Sequence, residues 1–526
     1  MSGVDDEVPW WRDRLTIASG IVFAAWCVLA LTWPLSGDAA VFGWIADTVV
    51  RGGAPYVDAW DTKGPSAWLP SLLVQGVVGR TSWGIRLFDI VMVLCGVCAI
   101  RAVARRLGQH GSGRVAVALY LLWYASLDFW QSAQPDGWTA TWLVGACALA
   151  LTATSLGALA AGLLVGVATM LKPFYVGYAL VIWLIVGSEP QQSTRTRATR
   201  IALVTCGIAI TITVMLLLLQ HWGGLAAYWD VQRWNRDVYA RLGDPWMTRI
   251  PAGIRGMLVV PWGVVVPVAL FAVLRQPRAL SRRMLALAIG LAGAVAGVML
   301  QGKGWVYHWL PMLPFLALLA DFGFAALRRE VAGETAAQFR RIALVMALSV
   351  AALSPLQQLY RFARSRRSDA AVAAFEHHEF RYYGRHPGSA SAIIDSLARI
   401  EPGAARIMLW AMHPAPFLMN GLELTTPFAV IRPLYDGPGS SYRARYRRQF
   451  EQSVVSAPPR WWLLPTASLA AREPELHRYD VQEMPAIALL LREQYRQVGE
   501  TEEWRILERV RPIEASTSAR QREPRQ

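Results

Sequence analysis

The chain of 526 residues has little charge, since only 17% of its residues are Asp, Glu, Lys or Arg. Soluble domains carry about 25%. Apolar residues make up 54% of the chain, and the mean hydropathy is +0.30. A soluble fold of this length does not bury so large an apolar fraction, so the composition excludes a secreted, cytosolic or disordered protein. The sequence therefore predicts a polytopic membrane protein.

Cysteine is also scarce, with five residues that all lie inside apolar runs. Cys95 and Cys98 have CxxC spacing but no partner pair, so we interpret them as small apolar residues. Neither a disulfide framework nor a structural zinc site is expected. The net charge of +15 comes from basic residues scattered along the whole chain, which excludes a nucleic-acid partner.

Long apolar runs predict transmembrane helices, because about 20 apolar residues span a bilayer. The first run is too long and too acid-flanked for a signal peptide. Residues 66–79 are too short to span and are predicted to form a half-helix in the membrane interface. We predict an all-α domain of about eleven spans, at 15–37, 87–104, 115–130, 137–154, 157–171, 173–188, 201–220, 256–274, 284–302, 304–320 and 342–360.

The distribution of arginine predicts the orientation of these spans. With the N-terminus inside, the short inner loops hold more Lys and Arg than the outer loops, as the positive-inside rule requires. An odd number of spans then places the first outer loop, 36–86, and everything after residue 360 outside the cytoplasmic membrane. Four arginines within 361–367 oppose this assignment, but charges late in a chain orient it weakly.

Beyond residue 360 charges become frequent and the long apolar runs end. Short apolar segments alternate there with amphipathic helices, which predicts a small extracytoplasmic α/β domain over 361–511. The segment 512–526 has few apolar residues and is predicted to be a disordered tail. The predicted strands are 407–410, 428–431, 461–464 and 504–507, and the predicted helices are 389–400, 441–455 and 483–495. The helix 441–455 carries an arginine face that either is solvated or contacts anionic lipid or glycan.

Only three of the 52 basic residues are lysines, and all three fall at predicted outer ends of spans. They are Lys63, Lys172 and Lys303. Lysine presents a compact point charge, whereas arginine presents a broad planar fork, so a narrow site that grips a phosphate can require lysine. Either this placement arises by chance in an arginine-biased chain, or the lysines hold a phosphate.

Motifs after the first span resemble those of a known family. The chain reads GDAAVF at 37–42 and RGGAPYVDAWDTKGP at 51–65. This first outer loop resembles that of bacterial glycosyltransferases with the GT-C fold, the RgtA/B/C/D-like relatives of protein O-mannosyltransferases and lipid A aminoarabinose transferases. Similar motifs follow as KP at 172–173 and KGWVYHWLP at 303–311. The resemblance covers residues 15–325 in order.

The resemblance implies a role for the acidic residue just past the first span, here Asp38, as catalytic base or as a group that orients the acceptor. Several relatives carry an Asp-Glu pair there, whereas Ala39 follows in this chain. The family implies a polyprenyl-phosphate sugar as donor and a cell-envelope glycolipid or glycan as acceptor. It implies no metal cofactor, and the first loop has no DxD triplet.

Elementary chemistry agrees with these roles. Sugar transfer needs a base for the proton of the acceptor hydroxyl and positive groups that stabilise the departing lipid phosphate. Asp38 at the water end of a span suits the first task. The candidate substrate-binding residues are Asp61, Lys63, Asp136, Lys172, Lys303 and His308.

Each assignment has a purely structural alternative. Asp38 can instead cap a helix over 39–50, Asp61 and Lys63 can pair across a turn, and His308 can be an interfacial histidine with local partners. The main alternative function is a polytopic lipid or glycan transporter or flippase. Transport pathways usually show repeated hydropathy and charge in mid-span, and neither is evident in this sequence.

Overall fold

The computed structural model describes residues 13–108, 113–189, 192–243, 245, 248, 251, 265–267, 282–330, 334–401, 406–411, 413–473, 476 and 479–510. The chain divides into two compact units, Met1–Gly384 and Arg385–Gln526. The first unit is helical over its described residues, and the second contains a small sheet.

The α-helices of the first unit follow the predicted spans closely. They are α1 (Arg14–Leu31), α2 (Gly37–Val50), α3 (Leu69–Val78), α4 (Ser82–Arg106), α5 (Arg114–Ala125), α6 (Pro135–Ala150), α7 (Ser155–Leu171), α8 (Tyr178–Gly187), α9 (Thr194–His221), α10 (Leu225–Asp237), α11 (Arg282–Gln301), α12 (Leu313–Glu330), α13 (Glu334–Ser365) and α14 (Asp369–Phe380). Short 3-10 segments at Pro65–Ala67, Pro173–Gly177, Tyr239–Leu242, Val306–Met312 and Arg381–Tyr383 connect some of them.

Within the described residues, five helices are long and apolar enough to cross a membrane by length and composition. They are Arg14–Leu31, Ser82–Arg106, Thr194–His221, Met284–Gln301 and Val306–Ala326, and shorter apolar helices accompany them. This confirms the predicted fold class, a helical membrane domain followed by a small domain with a sheet. The predicted span 256–274 lies outside the described residues except for 265–267.

The first predicted span, 15–37, is shorter in the structure. Helix α1 ends at Leu31, because Pro34 disfavours helical backbone before it. Ser36 then caps α2, since its side chain accepts a hydrogen bond from the Ala39 amide. The predicted half-helix 66–79 is confirmed as a 3-10 turn followed by α3.

Helices α7 and α9 approach each other closely through small residues. A side chain at Gly162 would overlap the backbone of Val204, and one at Gly207 would overlap the Leu159 carbonyl. Such small-residue contacts are typical of helix pairs in membranes, where van der Waals packing drives association. The close packing of α7 on α9 therefore holds the C-terminal end of α7, where Lys172 follows, in a fixed position.

The second unit contains a four-stranded sheet in the order β1-β2-β4-β3. The pair β1–β2 is parallel, and the other two pairs are antiparallel. Its strands are β1 (Ile407–Leu409), β2 (Trp461–Pro465), β3 (Tyr495–Glu500) and β4 (Trp504–Arg509). Its helices are α15 (Ala390–Ile400), α16 (Ala415–Asn420), α17 (Ser441–Ser456), α18 (Ala467–Arg472) and α19 (Pro485–Gln494), with 3-10 turns at Arg432–Leu434 and Val481–Glu483.

One sequence prediction for the second unit is wrong, and one strand was missed. The predicted strand 428–431 is a buried irregular segment, because Pro427 and Pro433 flank it and limit ladder formation. The strand β3 was not predicted, since it is an edge strand whose residues are mostly polar and exposed. The strands at 407–410, 461–464 and 504–507 are confirmed.

The boundary between the units lies later than the sequence predicts. The predicted domains were 1–360 and 361–511, but α13 continues to Ser365 and α14 packs back on it within the first unit. The Phe362 and Phe375 rings contact each other with centroids 6.1 Å apart. The predicted tail, 512–526, lies outside the described residues.

Candidate active site

The three lysines of the chain line one cavity of about 310 Å³ in the first unit. His308 lines the same cavity, together with residues from the first outer loop, from α10 and from the end of α11. Segments far apart in sequence therefore bring the rare lysines together. Three of the predicted substrate-binding residues are lysines, and each of them lines this cavity.

The first outer loop reaches the cavity because Gly64 packs against the end of α7. A side chain at Gly64 would overlap the Met170 carbonyl, so the close approach requires glycine. The Ser66 hydroxyl also donates to the Val167 carbonyl at 2.7 Å. These contacts place Lys63, one residue before Gly64, beside Lys172.

The Lys63 ammonium faces the cavity as an open cation, meaning one without an ion pair or hydrogen bond to another described residue. It lies 5.5 Å from the centre of the Phe42 ring. Burial lowers the pKa of the Lys63 ammonium, but Asp38 and Asp61 more than reverse this, so its pKa lies above the usual range. Lys63 therefore carries a positive charge at physiological pH.

Asp61 is buried and belongs to a local turn. Its carboxylate accepts a hydrogen bond from the Lys63 backbone amide at 3.1 Å. Burial raises the pKa of Asp61, and the charge of Lys63 and two backbone amides oppose that shift. The predicted turn between Asp61 and Lys63 exists, but it uses the backbone of Lys63 and leaves the ammonium facing the cavity.

Lys172 and Asp136 form a buried ion pair. The Lys172 ammonium donates to both carboxylate oxygens of Asp136, at 2.7 and 2.8 Å, and to the Gln301 side-chain oxygen at 2.6 Å. These bonds use the three donors of an ammonium group. The Tyr175 hydroxyl also donates to Asp136, at 3.2 Å. Asp136 does not line the cavity itself, but it holds the ammonium group of Lys172, which does.

Lys303 comes from the turn that follows α11. Its ammonium lies 3.2 Å from the centre of the Tyr239 ring and donates to the Tyr239 carbonyl at 3.1 Å. Gly302 and Gly304 on either side have positive φ angles of 64° and 59°, which glycine adopts without strain. The turn thereby places Lys303 among the residues that line the cavity.

His308 is buried in the 3-10 segment that precedes α12. Its ring packs against Trp305 and Tyr307, with centroids 5.3 and 4.6 Å away. The Nδ1 atom is buried and has no hydrogen-bond partner among the described residues. The alternative of a histidine satisfied by local partners therefore does not account for this nitrogen.

Asp38 lies in the first turn of α2 and is half-buried. Because Ser36 caps this helix, the alternative role of Asp38 as the N-cap is wrong. Asp38 forms no hydrogen bond or ion pair with another described residue, although its charge acts on Lys63. Residues four apart share a helix face, so Asp38 lies on the face of Phe42 that meets Lys63.

Helix α10 contributes cavity residues that the sequence analysis did not single out. They are Gln232, Asn235 and Arg236, and Tyr239 follows the helix. The Asn235 side-chain amide donates to the Thr62 carbonyl at 2.6 Å. Trp60 and Trp234 meet edge to face, with centroids 5.2 Å apart. The only available signal was an aromatic-rich polar segment between two long apolar runs.

Comparison with known proteins gives this architecture a family context. The family model of dolichyl-phosphate-mannose-protein mannosyltransferases matches residues 65–217. The crystal structure of ArnT from Cupriavidus metallidurans bound to undecaprenyl phosphate is similar over 94% of this chain and 97% of that chain, with a TM-score of 0.57 and 15% identity. The chain has the GT-C fold. The GT-C fold expected from the resemblance in the sequence is thereby confirmed.

A second GT-C structure is more distant. AglB, the oligosaccharyltransferase from Archaeoglobus fulgidus in complex with an inhibitory peptide and a dolichol-phosphate, has a TM-score of 0.50 and 11% identity. The similarity covers 91% of this chain and 72% of that chain. No curated protein sequence matches the chain significantly. At these identities the solved structures show the fold alone, so the roles of single residues must come from the geometry.

The GT-C unit also contains a second group of buried charges, around Arg86 and Asp89 on α4. Asp89 accepts hydrogen bonds from the Tyr124 hydroxyl at 2.6 Å, the Trp138 indole at 2.9 Å and the Ala133 amide at 3.0 Å. The Arg86 guanidinium donates to the loop before α2 and to the loop before α6. Its acceptors are Pro34, Phe129 and Ser132. This network joins two loops and lines none of the cavity just described.

Proposed function

We propose that this protein is a membrane glycosyltransferase. In this proposal it transfers a sugar from a polyprenyl-phosphate donor to a lipid or glycan acceptor of the cell envelope, on the outer side of the cytoplasmic membrane. The observation that carries the proposal is the convergence of all three lysines on one cavity. The charge of Asp38 raises the pKa of one of them, Lys63. A cavity rich in positive charge at the end of apolar helices suits a phosphate on a lipid chain.

Lys63 and Lys303 are the proposed ligands of the donor phosphate. The Lys63 ammonium forms no ion pair or hydrogen bond with another described residue, and the Lys303 ammonium lies over the Tyr239 ring and donates to the Tyr239 carbonyl. A phosphate oxygen would give each a charge-assisted hydrogen bond, and such bonds are stronger than neutral ones. The same contacts stabilise the phosphate as it leaves, when its negative charge increases.

Lys172 and Asp136 have a supporting role in this account. The three donors of the Lys172 ammonium are used in hydrogen bonds to Asp136 and Gln301. Because the charges of Lys172 and Asp136 are opposite, the pair adds little net charge to the cavity. It fixes the α7 end against α6 and α11, and the first loop rests on that end. His308 offers a ring nitrogen without a partner to an oxygen of the donor.

Asp38 is the proposed base. In a single displacement the acceptor hydroxyl oxygen forms a bond to the anomeric carbon, and its proton passes to the Asp38 carboxylate. The bond between the anomeric carbon and the phosphate oxygen breaks, and the electron pair leaves with the polyprenyl phosphate. Lys63 and Lys303 neutralise that charge. No step in this proposal uses a metal ion, and the absence of a metal cofactor stays a prediction.

The relatives support the lipid-phosphate part of the proposal. The ArnT structure has undecaprenyl phosphate bound, and the AglB structure is a complex with a dolichol-phosphate. For this chain we infer the same class of lipid phosphate. We also infer that the protein lies in the inner membrane with the unit after Gly384 on the outer side, which follows from the odd span number and the loop arginines.

Transfer by the purified protein tests the proposal. We expect detergent-solubilised protein to move a labelled sugar from a synthetic polyprenyl-phosphate sugar to lipid or glycan extracted from a deletion strain. That strain should lack one defined envelope sugar, which names donor and acceptor together. A matched control is the Lys63→Ala protein, which should bind the donor poorly. An unchanged glycan profile, with no transfer from any polyprenyl-phosphate sugar, would contradict the proposal.

The transporter alternative predicts a different result. A flippase would move a fluorescent polyprenyl-phosphate sugar between leaflets of proteoliposomes without breaking the bond to the sugar. A transferase leaves its lipid in place and releases the sugar to the acceptor. Translocation without transfer would therefore favour the transporter.

A further inference from the structure

The peptide unit that precedes Lys63 is held at both of its polar ends. The Thr62 carbonyl accepts a hydrogen bond from the Asn235 side-chain amide at 2.6 Å. The Lys63 amide at the other end of the same planar unit donates to Asp61 at 3.1 Å. Because a peptide unit is rigid, these two bonds fix its orientation.

The next peptide unit is fixed as well, because the Lys63 carbonyl accepts from the Tyr56 hydroxyl at 2.8 Å. Asp61 and Tyr56 belong to the same outer loop as Lys63, so their bonds are local. Asn235 is the exception, since it comes from α10 and lies 173 residues away in sequence. It ties the backbone before Lys63 to α10, whereas on the other side of Lys63 the Gly64 amide donates to the Leu171 carbonyl of α7 at 3.4 Å.

The position of Asn235 is itself well defined. Its helix packs on the outer loop through the Trp60–Trp234 and Tyr56–Tyr228 ring contacts. Gln232, one turn earlier on the same face, reaches the Thr62 carbonyl only at 3.5 Å, which is a weak hydrogen bond. Asn235 therefore supplies the strong contact and Gln232 the weak one.

We propose that Asn235 is a positioning residue for Lys63. By holding the Thr62 carbonyl it fixes the backbone from which the lysine side chain reaches the donor phosphate. The inference rests on the proposed function, and it adds a residue that acts through Lys63 without touching the phosphate. A misplacement of about 1 Å at a reacting group is costly, so a hydrogen bond to the backbone beside the lysine affects donor binding.

A double-mutant cycle between Asn235 and Lys63 tests this role. The probe is polyprenyl phosphate, whose dissociation constant is measured with the full-length protein in detergent, and the donor KM is measured beside it. We expect Asn235→Ala to weaken binding by about three- to tenfold, the range for one net hydrogen bond, with kcat changed less than KM. In the Lys63→Ala background the same substitution should have almost no effect, because the group it positions is gone.

Two further variants separate positioning from folding. Asn235→Asp places a carboxylate oxygen against the Thr62 carbonyl and should weaken binding at least as much as alanine does. Arg233→Ala, on the same helix but outside the cavity lining and with a side chain 59% exposed, should change binding less than twofold. The melting temperature of each protein is measured in parallel, and we expect Asn235→Ala to stay near wild type.

Additive effects of Asn235→Ala and Lys63→Ala would overturn the inference, as would a loss of kcat without a change in KM or in the dissociation constant. Its failure is distinguishable from failure of the proposed function. If the wild-type protein neither binds polyprenyl phosphate nor transfers sugar, the proposed function is wrong. If it does both and the cycle is additive, only the role of Asn235 is wrong.

Discussion

Two groups of buried charged residues in the membrane unit differ in whether their unpaired polar atoms lie beside the cavity. In the Arg86–Asp89 network the carboxylate accepts three hydrogen bonds, and the guanidinium donates to loop carbonyls and a hydroxyl. In the cavity, the Lys63 ammonium and the His308 Nδ1 atom have no hydrogen-bond partner among the described residues.

The difference separates stabilising charges from binding charges. A buried polar group without a partner costs about 1–3 kcal/mol, and the cavity retains such groups where a ligand can satisfy them. The network around Asp89 also contains a buried atom without a partner among the described residues, the Arg86 Nε, but neither Arg86 nor Asp89 lines the cavity. Burial and charge alone would have ranked the two groups alike, so the useful criterion is which polar atoms remain unsatisfied beside a cavity.

Replacing Asp89 should disrupt the Arg86–Asp89 network and destabilise the protein. In Asp89→Ala the Tyr124 hydroxyl, the Trp138 indole and the Ala133 amide lose their acceptor. We expect the free energy of unfolding to fall by about 3–5 kcal/mol, the range for breaking a buried charged network. The melting temperature in detergent measures this, with Val91→Ala on the same helix as a control whose parent side chain is exposed. Unchanged melting with lost turnover would instead assign Asp89 to the active site.

Replacing Lys63 should weaken binding of the lipid phosphate, whereas replacing Asp89 should lower stability. Lys63→Ala loses a charge-assisted contact to phosphate, so the dissociation constant for polyprenyl phosphate should rise by the equivalent of about 1.5–3 kcal/mol. Lys63→Arg should not restore binding fully, because the planar guanidinium does not replace a compact ammonium in a narrow site. Arg80→Ala, which removes the partly exposed ion pair with Asp47, is the control. Equal binding by wild type and Lys63→Ala would contradict the assignment.

The C-terminal unit contains a buried histidine, His413, whose pKa differs between the folded and the unfolded chain. Burial lowers the pKa of His413 to about 3, whereas an unfolded histidine has a pKa near 6.5. The unfolded chain therefore takes up a proton at His413 below pH 6.5, while the folded chain stays neutral until about pH 3. The contribution to stability is complete above pH 6.5 and is lost between those values, by about 2 kcal/mol at pH 5.

Hydrogen exchange of the C-terminal unit in the full-length protein, followed from pH 7 to pH 5, measures that loss. His413→Gln should flatten the dependence on pH. The control is His378→Gln, because the His378 side chain is 76% exposed and should leave the dependence unchanged. The same slope in His413→Gln and wild type would show that another group titrates.

The smallest effect is expected on the arginine face of α17. Arg443 and Arg447 both pair with Glu483, at 2.8 and 2.7 Å, and the Arg445 guanidinium lies 5.0 Å from the centre of the Tyr446 ring. These partly exposed pairs favour the interpretation as a solvated surface. Glu483→Ala should lower the stability of the unit by under about 1 kcal/mol, and less in high salt. A fall in transfer activity with unchanged stability would favour the lipid or glycan contact instead.

Sequence reasoning predicted the helical membrane fold because long apolar runs are a direct consequence of bilayer thickness. It also singled out Lys63, Lys172 and Lys303, since their rarity was visible without a structure. It could not distinguish their roles. The Lys172 ammonium is hydrogen-bonded to Asp136 and Gln301, whereas the Lys63 ammonium has no hydrogen bond among the described residues. This difference depends on contacts between segments far apart in sequence.

Other parts of the site were hidden for physical reasons. Asn235 lies in a helix without a long apolar run, and its contact with Thr62 has no local signal. The N-cap of α2 is Ser36 and not Asp38, although both residue types cap helices and stand two positions apart. The segment 428–431 is apolar and fully buried, and burial alone does not distinguish a strand from an irregular segment.

The central claim is that Asp38 performs chemistry and does not support the fold. The most direct test measures turnover and melting temperature of Asp38→Asn together, since asparagine keeps the shape of aspartate but cannot accept the proton. We predict that turnover falls about 100-fold or more, while donor binding and melting temperature stay near wild type. Retained turnover in Asp38→Asn would contradict the account and would direct attention to Asp61 or Asp136 as the base.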